Sequence, residues 1–520
     1  MQAALEQIRI IEECGAAAVE AVRERYARRQ ELLPRERLAL LLDRGDPFIE
    51  LSRLAGYLLE GDADGAAAGG GIIVGIGRIC GVRCLVSVDN FVVKGGSLTQ
   101  QGMLKKIRSQ EIASQMKLPI VTLAQSGGAN LRYVSDFFLD GARFFANRAR
   151  LSAQGLPQIT VVHGSATAGG AYDPGLSDYM IMVRNKASMY LAGPPLLKAA
   201  TGEIATEEEL GGAEMHCRVA GSAEYLAEND ADGIRIAREV LAALQWNRLV
   251  PVIAPPPYSE PLHSPDELIG IVSAESKTPF DMREVLVRIA DGSDFLEFKS
   301  EYDAGTLCGH ISIEGLPVGI VANNFPITAR GAAKAAQFIQ LCDQAQLPLL
   351  FLHNTTGFLV GTEQEQAGII KHGAKMIQAV ANARVPRISI MIGGSYGAGN
   401  YAMCGRGLDP QFLFAWPSSR VAVMGGAQAA TVLKIVAENK FNRSGGTMDT
   451  ATRARVDAEA LEAEQLLDEK SRALYATARV WDDGVVDPRD TRRLLGELLR
   501  TCRDSALRQL QPNSFGVARF

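Results

Sequence analysis

The 520-residue chain has no hydrophobic run long enough to cross a membrane. Its longest uncharged glycine-apolar stretch, residues 65–77, holds six glycines and falls short of the roughly 20 residues a span needs. The N-terminus, MQAALEQIRIIEE, is acidic and helical in pattern, without the basic and apolar regions of a signal peptide. A cytoplasmic protein is expected, or one of an organelle matrix. Aromatic residues make up only 6%. The eight cysteines are scattered, and the one close pair, Cys80 and Cys84, has a Cys-x3-Cys spacing inside an apolar strand-like run. That is a poor zinc or redox signature, so reduced, buried thiols and no metal are expected. With 54 basic and 59 acidic residues the net charge is -5, which excludes a globally basic nucleic-acid binder but leaves room for a local basic patch.

Familiar catalytic motifs are missing too. No Gly-Lys-Ser/Thr occurs, so there is no P-loop. The six histidines form no His-Glu-x-x-His pair. Gly75-x-Gly77 begins like a dinucleotide fingerprint, but RICGVRCLVSV follows and reads as strand, not as the helix a pyrophosphate needs. Gly393-Gly394-Ser395-Tyr396-Gly397 fits a nucleophile elbow, yet the last histidine is His372, upstream of Ser395, whereas that order requires a later one.

What is present is glycine, 52 residues of it, and a regular alternation. Residues 1–45 read as two helices, the second starting near Pro34. Short apolar runs such as GIIVGIGRI, RCLVSV, LPIVTLAQ and QITVVHG then alternate with helical stretches, the pattern of strands buried on both faces in an α/β fold. Six prolines between 251 and 265 bar helix and sheet interior alike, so 251–270 is a linker between domains at 1–250 and 271–520. Residues 451–475 form a charged helix, solvated on one face.

The two halves repeat. LPIVTLAQSGGANL from Leu118 and LPQITVVHGSATAGGAY from Leu156 match LPLLFLHNTTGFLVG from Leu347 and VPRISIMIGGSYGAGNY from Val385 at a single offset of 229 residues. In that register Gly169 falls on Ala398, Gly170 on Gly399 and Tyr172 on Tyr401. A duplicated α/β domain follows. Four small-residue turns sit at its strand-to-helix junctions: Ser126-Gly127-Gly128, Ala168-Gly169-Gly170, Thr356-Gly357 and Gly397-Ala398-Gly399. One such turn would be ordinary strand–helix geometry. Two per half, in register, point to backbone N–H groups arranged at helix N-termini for two developing oxyanions.

These stretches, with VKGGS at 93–97, IRSQEIA at 107–113, LAGPPLLKAATGE at 191–203, ELGGAEMH at 209–216, GGSYGAGNYAMCGR at 393–406 and ARVWDDGVVDP at 478–488, resemble the carboxyltransferase (β) subunits of biotin-dependent acyl-CoA carboxylases nearly end to end. SGGANL, GAGNYAMCGR and ARVWDDGVVDP are similar to the methylcrotonyl-CoA and geranyl-CoA branch. The resemblance implies two tandem crotonase-like domains, the first for acyl-CoA and the second for biotin. It implies that carboxybiotin, brought by a carrier on a partner α subunit, releases CO2, that its ureido nitrogen takes the acidic proton of the acyl-CoA, and that the enolate attacks CO2. Biotin acting as its own base accounts for the missing carboxylate or histidine dyad.

By resemblance, the amides of Gly169 and Gly170 hold the thioester enolate oxygen, and those of Ala398 and Gly399 the ureido oxygen. Lys94, Gly95, Gly96, Lys105, Lys106 and Arg108, with Gly127, Gly128, Ala168 and Lys198, fall to the acyl-CoA side; the cations are candidates for the CoA phosphates, or simply a solvated helix face. Thr356, Gly357, Phe358 and Gly397 fall to the biotin side. No ATP-binding domain is found, and Ala374-Lys375-Met376 lies in a helical stretch rather than the exposed hairpin of a biotin carrier. A biotin carboxylase and carrier subunit must therefore be a partner, and the family implies a hexamer of β subunits. Two segments depart from the branch pattern: LRYVSDFFLDGARFFAN at 131–147, with Phe137, Phe138, Phe144 and Phe145, and NNFPITARGAAKAA at 323–336. The phenylalanines form an apolar wall suited to a branched or unsaturated acyl tail such as 3-methylcrotonyl or geranyl. A decarboxylase running the transfer backwards and a silent acyl-CoA-binding scaffold are the alternatives.

Overall fold

The computed structural model describes residues 1–251, 253–254, 256–272, 278–443 and 448–518. It divides into two compact units. The N-terminal unit comprises Gln7–Ile253, Ala478–Val480 and the chain from Thr501 onward; the C-terminal unit comprises Met1–Glu6, Ala254–Thr477 and Trp481–Arg500. The chain passes from one to the other within the proline-rich stretch, of which Pro255 lies outside the described residues. Residues 256–264 carry neither helix nor strand.

In the N-terminal unit β1 (Ile49–Leu51), β2 (Ile72–Ile79), β3 (Val82–Asp89), β4 (Ile120–Ser126), β5 (Gln158–Thr167), β6 (Tyr179–Val183) and β8 (Tyr225–Ala227) form one sheet in the order β1-β2-β3-β4-β5-β6-β8, with β7 (Ser188–Tyr190) paired to β5. In the C-terminal unit β9 (Leu296–Glu297), β10 (Thr306–Ile313), β11 (Leu316–Asn323), β12 (Leu349–Thr355), β13 (Arg387–Tyr396) and β14 (Phe412–Ala415) form the second, in the order β14-β13-β12-β11-β10-β9, with β15 (Arg420–Ala422) on β13. Each sheet contains an antiparallel hairpin, β2–β3 or β10–β11, which carries a short antiparallel edge strand, β1 or β9, on one side and continues parallel on the other. Both hairpins close on two residues with positive φ, Cys80-Gly81 and Glu314-Gly315, whose backbone twist matches that of the flanking strands. The parallel pairs need crossovers, supplied by the helices Gln100–Met116 and Val134–Ala153 in one unit and Ala329–Gln344 and Ile369–Asn382 in the other.

The repeat extends to fine geometry. Thr99 and Thr328, 229 residues apart, cap the first crossover helices by accepting from the N–H of Gly102 and Gly331. The ladder β4–β5 shifts register between Ala124 and Ser126, and β12–β13 shifts between His353 and Thr355, the same positions at the same offset. Gly75 and Gly77 lie inside β2, as the reading against a dinucleotide site requires; a Cβ on Gly75 would clash with the Phe48 ring and the Ile49 carbonyl, so close packing demands glycine there.

The N-terminal segment departs from the expected two helices. Three form, Gln2–Glu20, Arg23–Arg28 and Pro34–Leu41. The last starts on its proline, as expected, but stops at Leu41, because the Arg238 guanidinium takes the Leu41 carbonyl and Asp43 N–H turns to the Arg78 carbonyl of β2, 2.8 Å away. The charged helix expected over 451–475 is Thr450–Lys470, with Ala460 its buried residue.

Candidate active site

The chain leaves β5 through Ala168, whose φ is +52°, and leaves β13 through Gly397, whose φ is +53°. Left-handed backbone swings the next amides away from the strand direction. It is uncommon for an alanine, whose Cβ crowds the following carbonyl. Gly169 and Ala398, the next residues, are both exposed, whereas Gly399 is buried. The helices that follow are short: a 3-10 turn Ala168–Ala171 with Tyr172–Gly175 in one unit, Gly397–Ala402 in the other. The dipole of a long helix therefore adds little, and any oxyanion stabilisation rests on the amides themselves.

The preceding strands end in matching turns. Ser126 Oγ accepts from Gly128 N–H at 3.1 Å and donates to the Gly96 carbonyl at 3.2 Å; Thr355 Oγ1 accepts from Gly357 N–H at 3.2 Å. Gly128 and Gly357 have φ of +81° and +120°. The two turns of each unit then touch: a Cβ on Gly170 would lie 3.2 Å from Ser126 Oγ, and one on Gly399 would lie 2.8 Å from Gly357 Cα. Glycine is required at 399, where backbone meets backbone; at 170 the close neighbour is the Ser126 side chain.

In the N-terminal unit this junction opens into a cavity of about 350 Å³, lined by Gly128, Gly169 and Gly170 on one side and by Phe137, Phe138, Phe144 and Phe145 on another. The phenylalanines come from Val134–Ala153, where Phe137 breaks the helical dihedrals, with φ -132° and ψ 17°. Phe144 and Phe145 pack edge-to-face at 5.7 Å, and Phe145 meets Tyr172 in a tilted contact at 5.5 Å.

The structure places the expected cations differently from a solvated face. Lys105 is buried and donates to the carbonyls of Gly69 and Ile72; burial pushes its pKa down to about 8. Lys106 is buried as well, with Nζ 2.9 Å from Asp173 Oδ2 and 3.2 Å from Asp89 Oδ1, and it lines the cavity. Burial opposes its charge, but the two carboxylates outweigh that and hold the ammonium above its usual range. Arg108 is buried beside Glu111. These three side chains point into the fold because Gln100–Met116 is packed on nearly every side, with twelve buried residues. Their charges meet protein carbonyls and carboxylates rather than forming a solvated helix face. Lys94 donates to the Glu60 carbonyl at 2.7 Å and borders a separate cavity of about 880 Å³ in the same unit. Lys198 is exposed on the Pro194–Thr201 helix and is not among the residues lining the phenylalanine cavity. Gly95 and Gly96 have positive φ, and Gly127 N–H donates to the Gly96 carbonyl at 3.2 Å, so this strip holds the Ser126 turn in place.

On the second turn, Thr356 is exposed, Gly357 backs Gly399, and Phe358 packs on Gly373. Lys375 lies inside the Ile369–Asn382 helix, not in a hairpin. Ser395 is fully buried in β13, where its Oγ meets His353 Nδ1 at 2.8 Å and accepts from Asn400 Nδ2 at 2.8 Å. A nucleophile must be reachable, so the elbow reading fails on burial as well as on histidine order. Among the described residues no group of three or more His, Cys, Asp or Glu could hold a metal, and no helix is long and apolar enough to cross a membrane.

Motif reasoning missed Asp173, Asp89 and Arg148. Asp173 pairs with Lys106 and, through Oδ1, with Arg148, which also donates to the Asp173 carbonyl at 3.0 Å and to Gln158 Oε1 at 2.9 Å. The aspartate after TAGGAY was the visible signal; its partners lie far away in sequence.

Residues 25–514 match the carboxyl transferase domain family. The fold superposes on the crystal structure of the P. aeruginosa geranyl-CoA carboxylase beta subunit with a TM-score of 0.93 and 59% identity, covering 100% of this chain and 96% of that one. The chain is 44% identical over 514 residues to the biotin-dependent 3-methylcrotonyl-coenzyme A carboxylase beta1 subunit of Mycobacterium tuberculosis, covering 96% of this chain and 93% of that protein. It is 43% identical over 528 residues to the mitochondrial methylcrotonoyl-CoA carboxylase beta chain of Dictyostelium discoideum, covering 100% of this chain and 88% of that protein.

Proposed function

The chain belongs to the carboxyl transferase domain family and is a carboxyltransferase subunit of the biotin-dependent acyl-CoA carboxylase kind; on that premise we propose that it carboxylates a branched or unsaturated acyl-CoA of the 3-methylcrotonyl or geranyl type. The observation that carries the substrate class is the 350 Å³ cavity joining the Gly169–Gly170 turn to the four phenylalanines. Its size falls in the range of ligand cavities, about 300–1,000 Å³, and aromatic walls hold an apolar tail at little entropic cost.

In this reading the acyl tail lies against Phe137, Phe138, Phe144 and Phe145, and the thioester oxygen faces the amides of Gly169 and Gly170. Donors already fixed by the Ser126 and Gly128 contacts stabilise the enolate without reorganising. For a 3-methyl-2-enoyl substrate the acidic proton is on the γ-carbon, whose anion still delocalises onto that oxygen. Gly96, Gly127 and Gly128 support this turn, and exposed Lys198 and partly exposed Lys94 are the cations left for the CoA phosphates.

The second turn fits biotin. Ala398 is exposed, and Gly399 sits so close to Gly357 that a side chain on it would fill the cradle. Ala398 and Gly399 would hold the ureido oxygen, with Thr356, Gly357, Phe358 and Gly397 shaping the turn. When bound, biotin supplies the carboxyl group and the base for the substrate proton. A biotin-carrying α subunit delivers it, and β subunits assemble as a hexamer in which the first half of one chain works with the second half of a neighbour, in the cytoplasm or an organelle matrix.

The test is a panel of acyl-CoAs assayed with the cognate biotin-carrying subunit, ATP and bicarbonate. Branched and unsaturated acyl-CoAs are expected to turn over faster than acetyl-CoA. Faster turnover of acetyl-CoA than of every branched substrate would overturn the assignment, and full activity from a strictly monomeric protein at high dilution would overturn the assembly.

A further inference from the structure

The duplication provides an internal comparison. The offset of 229 that relates Thr99 to Thr328, Ser126 to Thr355 and Gly170 to Gly399 also relates Lys106 to Ala335, Arg148 to Ile377 and Asp173 to Ala402. Ala335 and Ala402 are fully buried in one apolar core cluster of the C-terminal unit. The same scaffold and the same strand–turn–helix junction therefore form with two alanines where the N-terminal unit has an ion pair. Lys105 and Lys334, one residue earlier, are lysine in both units and buried in both. The difference covers the charged cluster around the pair, with Arg148 replaced by Ile377 and Asp89 by Val318, and stops at the neighbouring lysine.

A buried ion pair adds little net stability, since desolvation offsets the attraction and apolar replacements are often neutral or better. The fold does not need this one. Its position shows what it does connect. Asp173 lies three residues after Gly170. One carboxylate oxygen meets Lys106 on Gln100–Met116, and through Lys106 the Asp89 carboxylate at the end of β3; the other meets Arg148 on Val134–Ala153, the helix that carries the phenylalanines. Lys106 Nζ also stands 5.4 Å from the Phe144 ring centroid.

We infer that Lys106 and Asp173 are positioning residues that lock the Gly169–Gly170 turn to the phenylalanine helix, setting the distance between the acyl-tail wall and the enolate-oxygen donors. Neither is asked to touch a reacting atom. The inference rests on the proposed acyl-CoA role of the N-terminal unit. The biotin half, which takes no acyl chain, lacks the pair.

Two variants test it in the full complex with the biotin-carrying subunit: Lys106→Ala/Asp173→Ala, which copies the alanines of the second unit, and Asp173→Asn, which keeps shape and leaves Lys106 with Asp89. A misplacement of about 1 Å costs on the order of 100-fold in rate, so kcat for the best branched acyl-CoA is expected to fall roughly 10- to 100-fold while KM stays within about threefold. Release of CO2 from carboxybiotin without acyl-CoA should be unchanged. A folded double variant with kcat within about twofold of wild type would overturn the inference. So would equal loss of both partial activities, or a double variant that fails to assemble while Asp173→Asn keeps wild-type kcat. Wild-type turnover of the same acyl-CoA, measured alongside, establishes the underlying functional reading separately.

Discussion

Ala168 and Gly397 leave their strands with the same left-handed backbone, φ +52° and +53°, although only one of them is glycine. The turn is dictated by its place at the end of β5 and β13, not by the residue that occupies it. Left-handed backbone costs an alanine about 1–2 kcal/mol, partly offset by the smaller entropy its unfolded chain loses. Ala168→Gly is thus expected to be neutral or to stabilise by up to about 1 kcal/mol. Gly397→Ala should destabilise by about 1–2 kcal/mol or more, since its Cβ would also lie 3.0 Å from the Val423 carbonyl. Thermal unfolding of the two variants checks the asymmetry.

The two oxyanion turns are best separated at Gly169 and Ala398. Proline at Gly399 would drive its ring against the Gly357 backbone, confusing lost donor with lost fold, whereas a Cβ on Gly169 meets nothing within 4 Å and Ala398 is exposed. Each proline removes one N–H, an effect of about 2.7–4 kcal/mol on the barrier. Gly169→Pro should abolish acyl carboxylation and spare CO2 release from carboxybiotin. Ala398→Pro should slow that release while acyl-CoA binding is retained. Equal loss of both partial activities in both variants, with circular dichroism unchanged, would refute one turn per substrate.

The Lys106–Asp173 contact should show strong coupling in stability. Lys106→Ala leaves the buried Asp89 without a cation and Asp173 with Arg148 alone, and is expected to cost about 3–5 kcal/mol, while the double alanine variant should cost less than the sum of the singles by more than about 1 kcal/mol. Denaturant unfolding of the four-member cycle measures it.

Acid should loosen the C-terminal unit through His353. Burial pushes its pKa down to about 3, so the folded chain keeps the imidazole neutral where the unfolded chain, near 6.5, binds a proton. The unfolded state then holds more protons, and stability falls as pH drops from about 6.5 toward 3. By pH 5 the loss is about 2 kcal/mol from this group. His353→Gln is expected to be less stable at pH 7 but to lose less on going to pH 5. Identical pH slopes for variant and wild type would exclude the histidine.

The repeat, the alternation of strand and helix, the glycine turns and the family resemblance were all legible in the chain, because each is written locally: in proline-led apolar runs, in glycines that only certain dihedrals require, and in contiguous motifs. The phenylalanines of 137–145 also announced an apolar wall. Other features were decided only by tertiary structure. Lys105, Lys106 and Arg108 look like the exposed face of a helix, and nothing nearby in sequence reveals that Gln100–Met116 is packed almost all round. Lys106 and Asp173 are 67 residues apart, Arg148 and Asp173 25 apart, and Ser395 finds His353 42 residues upstream. Local pattern carries the backbone's conformational preferences. Which charges meet depends on how strands order in the sheet and how crossover helices dock on it, and burial then removes the solvent that would otherwise have been each side chain's partner.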